Sequence, residues 1–501
     1  MKRATSSSSI HHGFFRDRLG RSDLRCPDIC DAIVAIGIAI YVLFFTYLSL
    51  FQYNTFQLEY DLAVFNQAFW NTVMNGELLT NSLTQSSQFG IHFSPILLTL
   101  VPVYALFPGP QTLLIAQCIL LGLGAIPIYL CGKEMIGKEA GCLIGLAYLL
   151  YPSVHGVNLY DFHEVAFLPF LLGMTLWGFI TRRRNVLLLF GLLSLFVKED
   201  VSLILIMIGL IGLYQTRTNQ DSERWPYLVL IVLSLCDLIL FLSIIRPIFA
   251  SSSVVVQSGF LPQYLDPVNT LSQHNGNRIM YVLMTFIPLL FTPLGAPEIC
   301  AISIPSFLEI LLSPNPYYYS ILYQYSALVI PVLFFATIMT VFRVKSGDGR
   351  VGKKTWKALV CLILISTVIS AVVYSPAIRV VHMTGTTDEK AMDDHRIFLN
   401  QILSVLPQGT SISTQYNLLP QVSSRKQIWV DYHDTADVIL VDITFPRRAA
   451  DFNDDIEKIN ETFVPVLNDD NLVLLVNKEN PKLQSELITA FQKMPRAEYV
   501  S

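Results

Sequence analysis

The sequence DAIVAIGIAIYVLFFTYLSLF, residues 31–51, decides the class of fold. A helix needs about 20 apolar residues to cross a bilayer, and this stretch is that long, with Asp31 as its one charged residue. It is also longer than the apolar core of a signal peptide, so it is predicted to stay in the membrane. The whole chain agrees: its 501 residues are 52% hydrophobic and 14% charged, with a mean hydropathy of +0.50. Soluble domains carry about 25% charged residues, so the composition predicts an integral protein of the lipid bilayer.

Net charge argues against a nucleic-acid partner, and the cysteines argue against a disulfide framework. The net charge is -4 and the isoelectric point is about 6.1, which argues against a nucleic-acid partner because no large basic face is available to neutralise phosphates. The eight cysteines lie mostly in apolar runs, and the polar C-terminal segment has none. No disulfide framework is predicted.

Basic residues predict the topology, since Lys and Arg in short loops mark the cytoplasmic side. Arginines in the first 30 residues place the N-terminal tail 1–30 in the cytoplasm, so the span 31–51 exits and the loop 52–92 lies outside. Further basic loops follow at 133–138, 182–184, 217–224 and 343–357. The alternation predicts about eleven crossings of the plasma membrane within 31–376 and an extracytoplasmic tail, 377–501.

Many of the predicted spans are short or interrupted by Pro or Gly. The run 93–107 is too short to cross the bilayer and is predicted to be a partly embedded helix, whereas 281–297 and 299–312 are each predicted to be spans. Irregular backbone at membrane depth must face protein or water. A cavity that opens to the outside is therefore expected.

Polar clusters fall at the outer surface on this topology. Asp61 lies in YDLAVFNQAFWNT, residues 60–72, about ten residues after the first span. The other clusters are His92, the group Asp161, His163 and Glu164, the group Lys198, Glu199 and Asp200, and the segment 317–324, which Tyr325 follows. Ionisable groups beside apolar runs are costly unless they are solvated or paired, which makes each cluster a candidate site.

Each cluster also has a purely structural interpretation. Asp61 could cap a helix over 62–73, because Asp is among the best N-cap residues. His92 precedes Ser94-Pro95, a natural helix start, and the 161–164 group could form a solvated loop. The charges at 198–200 could neutralise one another in an internal salt bridge.

A chemistry that needs this arrangement is sugar transfer from an isoprenoid phosphate. The reaction requires a base for the acceptor proton, cations or a metal for the phosphate, and a groove that a lipid can enter. Asp61 could supply the base, and Lys198 could meet the phosphate. Asp161, His163 and Glu164 could bind a divalent ion such as Mg or Mn, although their spacing alone does not choose between Mg, Mn, Zn and none.

Several motifs carry a resemblance to a known class. They are HFSPILL at 92–98, DFHEVAF at 161–167, VKED at 197–200, QYSALVIPVLF at 324–334, GTSISTQYNLLPQVSSR at 409–425 and TADVILVD at 435–442. With the Asp61 loop, they resemble a prokaryotic family of predicted polytopic membrane proteins related to the GT-C class of glycosyltransferases. The resemblance covers nearly the whole chain and implies a GT-C-like helical domain over 31–376.

The resemblance also implies roles for residues. Asp61 occupies the position of the catalytic base, and Asp161 or Glu164 occupies the second acidic position, where such enzymes bind metal or the donor phosphate. Leu62 stands where a second acid usually follows the first, and Glu59 is the nearest substitute. The implied activity is glycosyl transfer from a polyprenyl-phosphate donor to an extracytoplasmic acceptor. Independently of the resemblance, the polar clusters predict substrate contacts at His92, Lys198, Glu199, Asp200, Gln324 and Tyr325.

The tail 377–501 has a different composition, in which apolar runs of strand length alternate with helical stretches. The strands are predicted at 411–415, 437–443 and 471–477, and the helices at 388–405, 447–460 and 480–492. This pattern predicts a small α/β domain. It has no glycine-rich phosphate loop, so it is expected to cover the outer cavity, to bind an acceptor, or to serve only as a structural lid.

Two other classes of function fit part of the sequence. Charges near membrane depth at 198–200, between broken helices, also describe the pathway of a transporter. No internal repeat relates two halves of the chain, however, and the ionisable residues gather at one surface rather than at the midplane. A membrane protein without catalytic activity is the third alternative.

Overall fold

The computed structural model describes residues 28–218, 223–251, 274–347, 355–445, 450–469 and 471–493. Most of the predicted cytoplasmic tail 1–30 lies outside these residues, as do the basic residues Arg350, Lys353 and Lys354 of one predicted cytoplasmic loop.

Helices dominate the first three quarters of the chain. In order they are α1 (Ile29–Asn54), α2 (Tyr60–Asn75), α3 (Gln88–Ile91), α4 (Val101–Leu106), α5 (Pro110–Leu123), α6 (Ala125–Met135), α7 (Lys138–Leu149), α8 (Pro152–Leu159), α9 (Leu168–Ile180), α10 (Arg184–Leu195), α11 (Val201–Thr218), α12 (Trp225–Leu240) and α13 (Arg246–Phe249). There follow α14 (Asn275–Phe286), α15 (Pro297–Cys300), α16 (Ile304–Leu311), α17 (Val329–Ser346), α18 (Trp356–Tyr374), α19 (Pro376–Thr386) and α20 (Glu389–Val405). A two-stranded ribbon, β1 (Thr80–Asn81) and β2 (Ser86–Ser87), follows α2.

Five helices of the described part of the chain are long and apolar enough to cross a membrane. They are Ile29–Asn54, Pro110–Met135, Trp225–Phe249, Gln324–Ser346 and Trp356–Tyr374, and the pair α7 and α8, bent by 43°, makes a sixth if it is one span. Three shorter apolar helices cover 164–180, 184–195 and 201–217. The structure thus has several apolar helices, and the total of about eleven crossings stays a prediction.

The region 281–312 differs from the two spans predicted there. Beyond α14 the backbone forms only short pieces, namely the 3-10 turns Ile287–Leu289, Thr292–Gly295 and Ala301–Ser303 and the short helices α15 and α16. Prolines at 288, 293, 297 and 305 explain the breaks, because each removes a helical hydrogen bond and clashes with the preceding turn. Leu290 and Phe291 also adopt positive φ, which ends the 3-10 turn Ile287–Leu289.

The tail folds around a five-stranded mixed sheet. Its strands are β3 (Ile412–Thr414), β4 (Ile428–Val430), β5 (Val438–Asp442), β6 (Phe463–Asp469) and β7 (Leu472–Asn477), and their spatial order is β4-β3-β5-β7-β6. β3 pairs in parallel with β4 and β5, whereas β7 pairs antiparallel with β5 and β6. The remaining helices are α21 (Leu419–Val422), α22 (Ile456–Thr462) and α23 (Pro481–Lys493). The three predicted strands correspond to β3, β5 and β7, and the sequence prediction missed β4 and β6.

Both faces of the sheet are covered by apolar side chains. On one face, Val438 and Leu440 pack with Leu399 and Ile402 of α20. On the other face, Ile439 belongs to a smaller cluster around α22. Alternate residues of β5 therefore point into two different cores, as the period of a strand requires.

Helix α2 joins the sheet to the rest of the chain through buried polar side chains. The Asn66 amide donates to the Ser423 hydroxyl at 2.8 Å, and the Gln67 amide donates to the Arg425 carbonyl at 2.9 Å. Both amides are fully buried. Because a buried amide without partners is costly, these bonds fix α2 against the segment 423–426. We call this contact the α2 seam.

The sheet and a group of basic residues lie at opposite ends of α1. At the last residue of the helix, the Arg396 guanidinium of the tail donates to Asn54 at 3.1 Å. Near the first residue, Lys133 pairs with Asp31 and Lys138 pairs with Asp28, both at 2.5 Å. The 26 residues of α1 separate these ends by roughly 40 Å at 1.5 Å per residue. We call them the sheet end and the basic end.

Gly156 in α8 allows the closest backbone approach at the sheet end. A Cβ at this position would overlap the carbonyl group of Ile321. This approach brings the ring of Tyr160, just after α8, to 4.8 Å from the ring of Tyr323.

The substitution Gly156→Ala is expected to destabilise the protein by on the order of 1–3 kcal/mol, because the added methyl group forces the backbone at Ile321 to move. Thermal unfolding of the purified protein in detergent measures the effect. Gly276→Ala is the matched control, since a Cβ there meets no atom within 4 Å. Equal melting temperatures for the two variants would contradict this account of α8.

Candidate functional site

Asp61 lies in the first turn of α2, at the sheet end, with its side chain 33% exposed. Its Oδ2 accepts a hydrogen bond from the Tyr160 hydroxyl at 3.0 Å and lies 3.3 Å from Nε2 of His163. The structure thus brings Asp61 next to Tyr160 and His163, about 100 residues away in the sequence. Asp61 is the group of this cluster that is most open to a ligand.

Asp161 supports the start of the helix that carries Asp61. Its buried carboxylate accepts the backbone N–H groups of Glu59 at 3.1 Å, Asp61 at 2.9 Å and Leu62 at 3.1 Å. The first N–H groups of a helix have no partner within it, and a carboxylate at this end also interacts favourably with the helix dipole. The expectation that Asp61 caps the helix is wrong, because α2 begins at Tyr60 and Asp161 takes that role.

The two carboxylates influence each other's protonation. Burial raises the pKa of Asp161 to about 7, and the nearby Asp61 charge adds to this rise, while the N–H donors of Glu59 and Leu62 oppose it. Burial also acts to raise the pKa of Asp61, but its contacts with His163 and Tyr160 outweigh this effect and the net shift is downward. Asp61 is therefore the carboxylate that stays ionised at neutral pH.

The ring of His163 is fixed in one orientation. Its Nδ1 lies 2.8 Å from the Asp161 carbonyl oxygen, which can only accept, so Nδ1 carries a proton. The opposite nitrogen, Nε2, then faces the acceptor-only carboxylate of Asp61. This contact is favourable only when a positive charge lies between them, either a second proton on the ring or a metal ion. Burial lowers the pKa of His163, but Asp61 outweighs that effect and the net shift is upward.

The same geometry tests the predicted metal site. Among the described residues, no group of three or more His, Cys, Asp or Glu side chains is arranged to hold a metal ion. Asp161, His163 and Glu164 therefore do not form the predicted three-ligand set, because the Asp161 oxygens already accept N–H groups. His163 Nε2 and Asp61 Oδ2, at 3.3 Å, fit two adjacent ligands at the usual 2.0–2.2 Å from an ion. A backbone carbonyl on the other ring nitrogen is also typical of a metal-binding His.

A second cluster surrounds the charged sequence at 198–200. Lys198 pairs with Asp200 at 2.8 Å, whereas Glu199 turns the other way, accepts the Phe93 N–H at 3.1 Å and lies 2.8 Å from His92 Nδ1. The predicted internal salt bridge thus exists for Lys198 and Asp200 only. His92 also helps to lower the pKa of Asp61, so the two clusters are electrostatic neighbours.

A small cavity of about 20 Å³, with room for one water molecule, joins this second cluster to the segment after residue 317. It is lined by Lys198, Asp200, Glu309, Gln324 and Tyr325, among others. The predicted substrate residues Gln324 and Tyr325 therefore lie at the same cavity as Lys198 and Asp200. Buried acceptor atoms of Asp200 (Oδ1) and Gln324 (Oε1) have no hydrogen-bond donor among the described residues.

Glu164 lies between the clusters. Its side chain is 2% exposed, and no described residue donates a hydrogen bond to its Oε2. Its charge raises the pKa of His92, of His163 and of Lys198, although it is a smaller cause than their own partners. His92, His163 and Lys198 thus each have another carboxylate as partner. Glu164 is an additional acid near all three.

Sequence reasoning missed three functional candidates at this end. Tyr160 is not among the predicted site residues, although its hydroxyl contacts Asp61. Glu309 lies in a region predicted to be a span, and its isolated charge within apolar sequence was the available signal. Arg379 follows the last predicted span directly, and a cation at such a position marks a membrane interface.

The substitution Asp161→Ala is expected to lower the free energy of unfolding by about 1–3 kcal/mol, because three backbone N–H groups lose their acceptor. Thermal unfolding measures the change. Asp388→Ala is the control, since Asp388 caps α20 with one hydrogen bond from an exposed position. A smaller loss for Asp161→Ala than for Asp388→Ala would refute the capping role.

The pair of Asp61 and His163 predicts a pH dependence of stability in metal-free buffer. The pKa of His163 is raised in the folded protein. Its contribution to the free energy of unfolding is therefore complete below about pH 6.5 and is lost as pH rises through the raised pKa. The pKa of Asp61 is lowered, so its contribution is present above about pH 3.9 and is lost as pH falls through the lowered value. The difference in melting temperature between the native protein and His163→Gln should therefore be largest near pH 5–6. A difference that grows from pH 6 to pH 9 would contradict the ion pair.

Comparison with solved structures places this architecture among known folds. ArnT from Cupriavidus metallidurans bound to undecaprenyl phosphate matches with a TM-score of 0.56 and 12% sequence identity, over 89% of this chain and 98% of ArnT. Its apo state matches with a TM-score of 0.53 and 11% identity, over 94% and 100% of the two chains. The archaeal oligosaccharyltransferase AglB from Archaeoglobus fulgidus reaches 0.42 at 11% identity, over 86% and 72%. The likeness to ArnT shows a shared fold and supports the expected relation to the GT-C class.

Sequence comparison is specific at the level of the family. No curated protein matches the chain. The family described as "Predicted membrane protein (DUF2079)" matches residues 29–474, which is most of the sequence. The chain therefore belongs to the DUF2079 family of predicted membrane proteins.

Proposed function

We propose that this protein transfers a glycosyl group from a polyprenyl-phosphate donor to an acceptor on the extracytoplasmic side of the membrane. One observation carries the proposal: Asp61 is a partly exposed carboxylate, fixed by Tyr160 and His163, in a fold shared with a protein solved with undecaprenyl phosphate. The distribution of basic residues supports a cytoplasmic basic end and an extracytoplasmic sheet end. Arg183 pairs with Glu134, next to Lys133 at the basic end, and basic residues favour the cytoplasm.

Asp61 is the general base of the proposed reaction. The nucleophilic atom of the acceptor attacks the anomeric carbon of the donor sugar, and its proton passes to Asp61. The bond from the anomeric carbon to the phosphate oxygen breaks, and its electron pair leaves with the polyprenyl phosphate. A carboxylate that is ionised at neutral pH and reachable from solvent suits this role.

His163 and Tyr160 hold the base in place. The Tyr160 hydroxyl donates to the same Asp61 oxygen that faces His163, so this oxygen is occupied and the other one is left for the acceptor. A divalent ion, if bound, would be held by Asp61 and His163 and would neutralise charge on the donor phosphate. Asp161 acts one step further away, because it positions the backbone on which Asp61 stands.

The side chains that line the small cavity beside Lys198 are proposed to contact the donor sugar. The free acceptor atoms of Asp200 and Gln324 match sugar hydroxyl groups, which donate hydrogen bonds, and Tyr325 offers an aromatic face to the ring. His92, which pairs with Glu199, is close enough to Asp61 for its charge to help lower the pKa of Asp61. Lys198 is already paired with Asp200, so its predicted role at the phosphate would require it to exchange partners.

The substitution Asp61→Asn is expected to reduce glycosyl transfer by about 10²- to 10⁴-fold, because an amide cannot accept the proton. Formation of undecaprenyl phosphate from undecaprenyl-phosphate-linked sugars, with purified protein in nanodiscs, measures the rate. Adding EDTA to the assay tests whether a divalent ion takes part.

Glu77→Gln is the matched control. It removes the same charge just beyond the other end of α2, where Glu77 pairs with the exposed Lys426. The control should retain full activity, and both variants should keep the native elution profile in detergent. Normal turnover by Asp61→Asn would refute Asp61 as the base.

A further inference from the structure

The bases within the site are already engaged with carboxylates. His163 lies against Asp61, His92 against Glu199, and Lys198 against Asp200. Three more acids, Asp161, Glu164 and Glu309, lie in the same region. A phosphate group that approached this excess of carboxylates would be repelled unless another cation met it.

Arg379 is a cation that could meet such a phosphate group. It lies on α19, the helix that follows the span Trp356–Tyr374. The buried face of α19 carries Ala377 and Val380, which belong to the main core of the helical region. Arg379 lies on the exposed face, and no other described residue forms an ion pair with it. Its guanidinium is therefore available to a ligand.

The exposed face of α19 is also apolar beside the arginine. Ile378 is 36% exposed and Val381 is 40% exposed, and His382 is exposed one turn after Arg379. An exposed helix face that carries apolar side chains beside an arginine, directly after a span, is typical of a helix at a membrane interface. A phosphate there would meet Arg379 while a hydrocarbon chain lies against Ile378 and Val381.

Packing connects α19 to the entrance of the site. Ser375, at the start of α19, contacts Nδ1 of His155 in α8 at 2.7 Å, and α8 leads directly into Tyr160. The Tyr160 ring packs edge-on against Tyr323 at 4.8 Å. Although burial raises the pKa of Tyr323, the Arg379 charge acts in the opposite direction, so Arg379 lies within electrostatic reach of this ring. The order from lipid to base is thus Arg379, Tyr323, Tyr160 and Asp61.

We propose that Arg379 binds the phosphate of the polyprenyl-phosphate donor, with His382 as a second hydrogen-bond donor and with Ile378 and Val381 against the isoprenoid chain. The planar guanidinium can donate two parallel hydrogen bonds to one phosphate group. This inference rests on the proposed function, which supplies the donor. It assigns the phosphate to the membrane interface and leaves the side chains around the carboxylate-rich cavity to the sugar.

Binding of undecaprenyl phosphate to the purified full-length protein in phosphatidylcholine nanodiscs tests the proposal without requiring turnover. Thermal stabilisation over a range of lipid content gives the apparent affinity. The native protein should be stabilised by undecaprenyl phosphate and not by undecaprenol, which lacks the phosphate. Arg379→Gln should bind undecaprenyl phosphate on the order of 10- to 100-fold more weakly, and Arg379→Lys should lie between the two.

Lys390→Gln is the matched control, because it removes one exposed positive charge from the next helix, α20, and should bind like the native protein. Unchanged binding by Arg379→Gln would overturn the proposal. Equal stabilisation by phosphatidylglycerol would also overturn it, since the site would then be one for ordinary anionic lipids. If binding depends on Arg379 but no sugar is transferred, the proposed function fails and this inference stands. If transfer proceeds equally well without Arg379, only this inference fails.

Discussion

The hydrogen bonds from three backbone N–H groups to the Asp161 carboxylate are the interaction on which the sheet end of this protein depends. They join two segments that are about 100 residues apart in sequence and fix where α2 begins. Asp61 stands in the first turn of that helix, so its position follows from Asp161 rather than from its own contacts alone. A carboxylate at the start of a helix is stabilised both by the free N–H groups and by the helix dipole, which offsets part of the cost of burying it.

Pairing of charges shapes the chemistry of the site. His163 cannot turn away from Asp61, because its other nitrogen is held by the Asp161 carbonyl group. A positive charge is therefore required between the two side chains, and this requirement is the same whether a proton or a metal ion supplies it. The surrounding acids make the region electronegative, so cations rather than anions are stabilised within it.

Part of this arrangement could be predicted from the sequence. The basic residues predicted the loop at 61 and the DFHE motif to lie on the same side of the membrane, and the structure brings Asp61 and His163 together. The strands β5 and β7 were predictable because each is an apolar run of strand length between polar turns. β3 and β4 have only three residues each, and for β4 no such pattern was recognised in the sequence.

The partners within the site could not be read from the sequence. Glu199 contacts His92, about 100 residues away, rather than its neighbour Lys198, and no local pattern encodes that choice. The helix cap supplied by Asp161 could not be predicted either, because this carboxylate lies about 100 residues away in the sequence. Asp61 was the candidate because it lies next to the start of the helix in the sequence. The prolines after 287 were visible, but their combined effect on two predicted spans depends on how the pieces pack.

The α2 seam has a consequence for the independence of the two parts of the chain. Asn66 and Gln67 find their partners in the tail while their helix carries Asp61. If the tail were detached, water would have to replace it as the hydrogen-bond partner of these amides. Helix α2 could then shift, and Asp61 would shift with it. The tail is thus part of the scaffold that positions Asp61, so exchanging tails between homologues would alter the surroundings of this carboxylate.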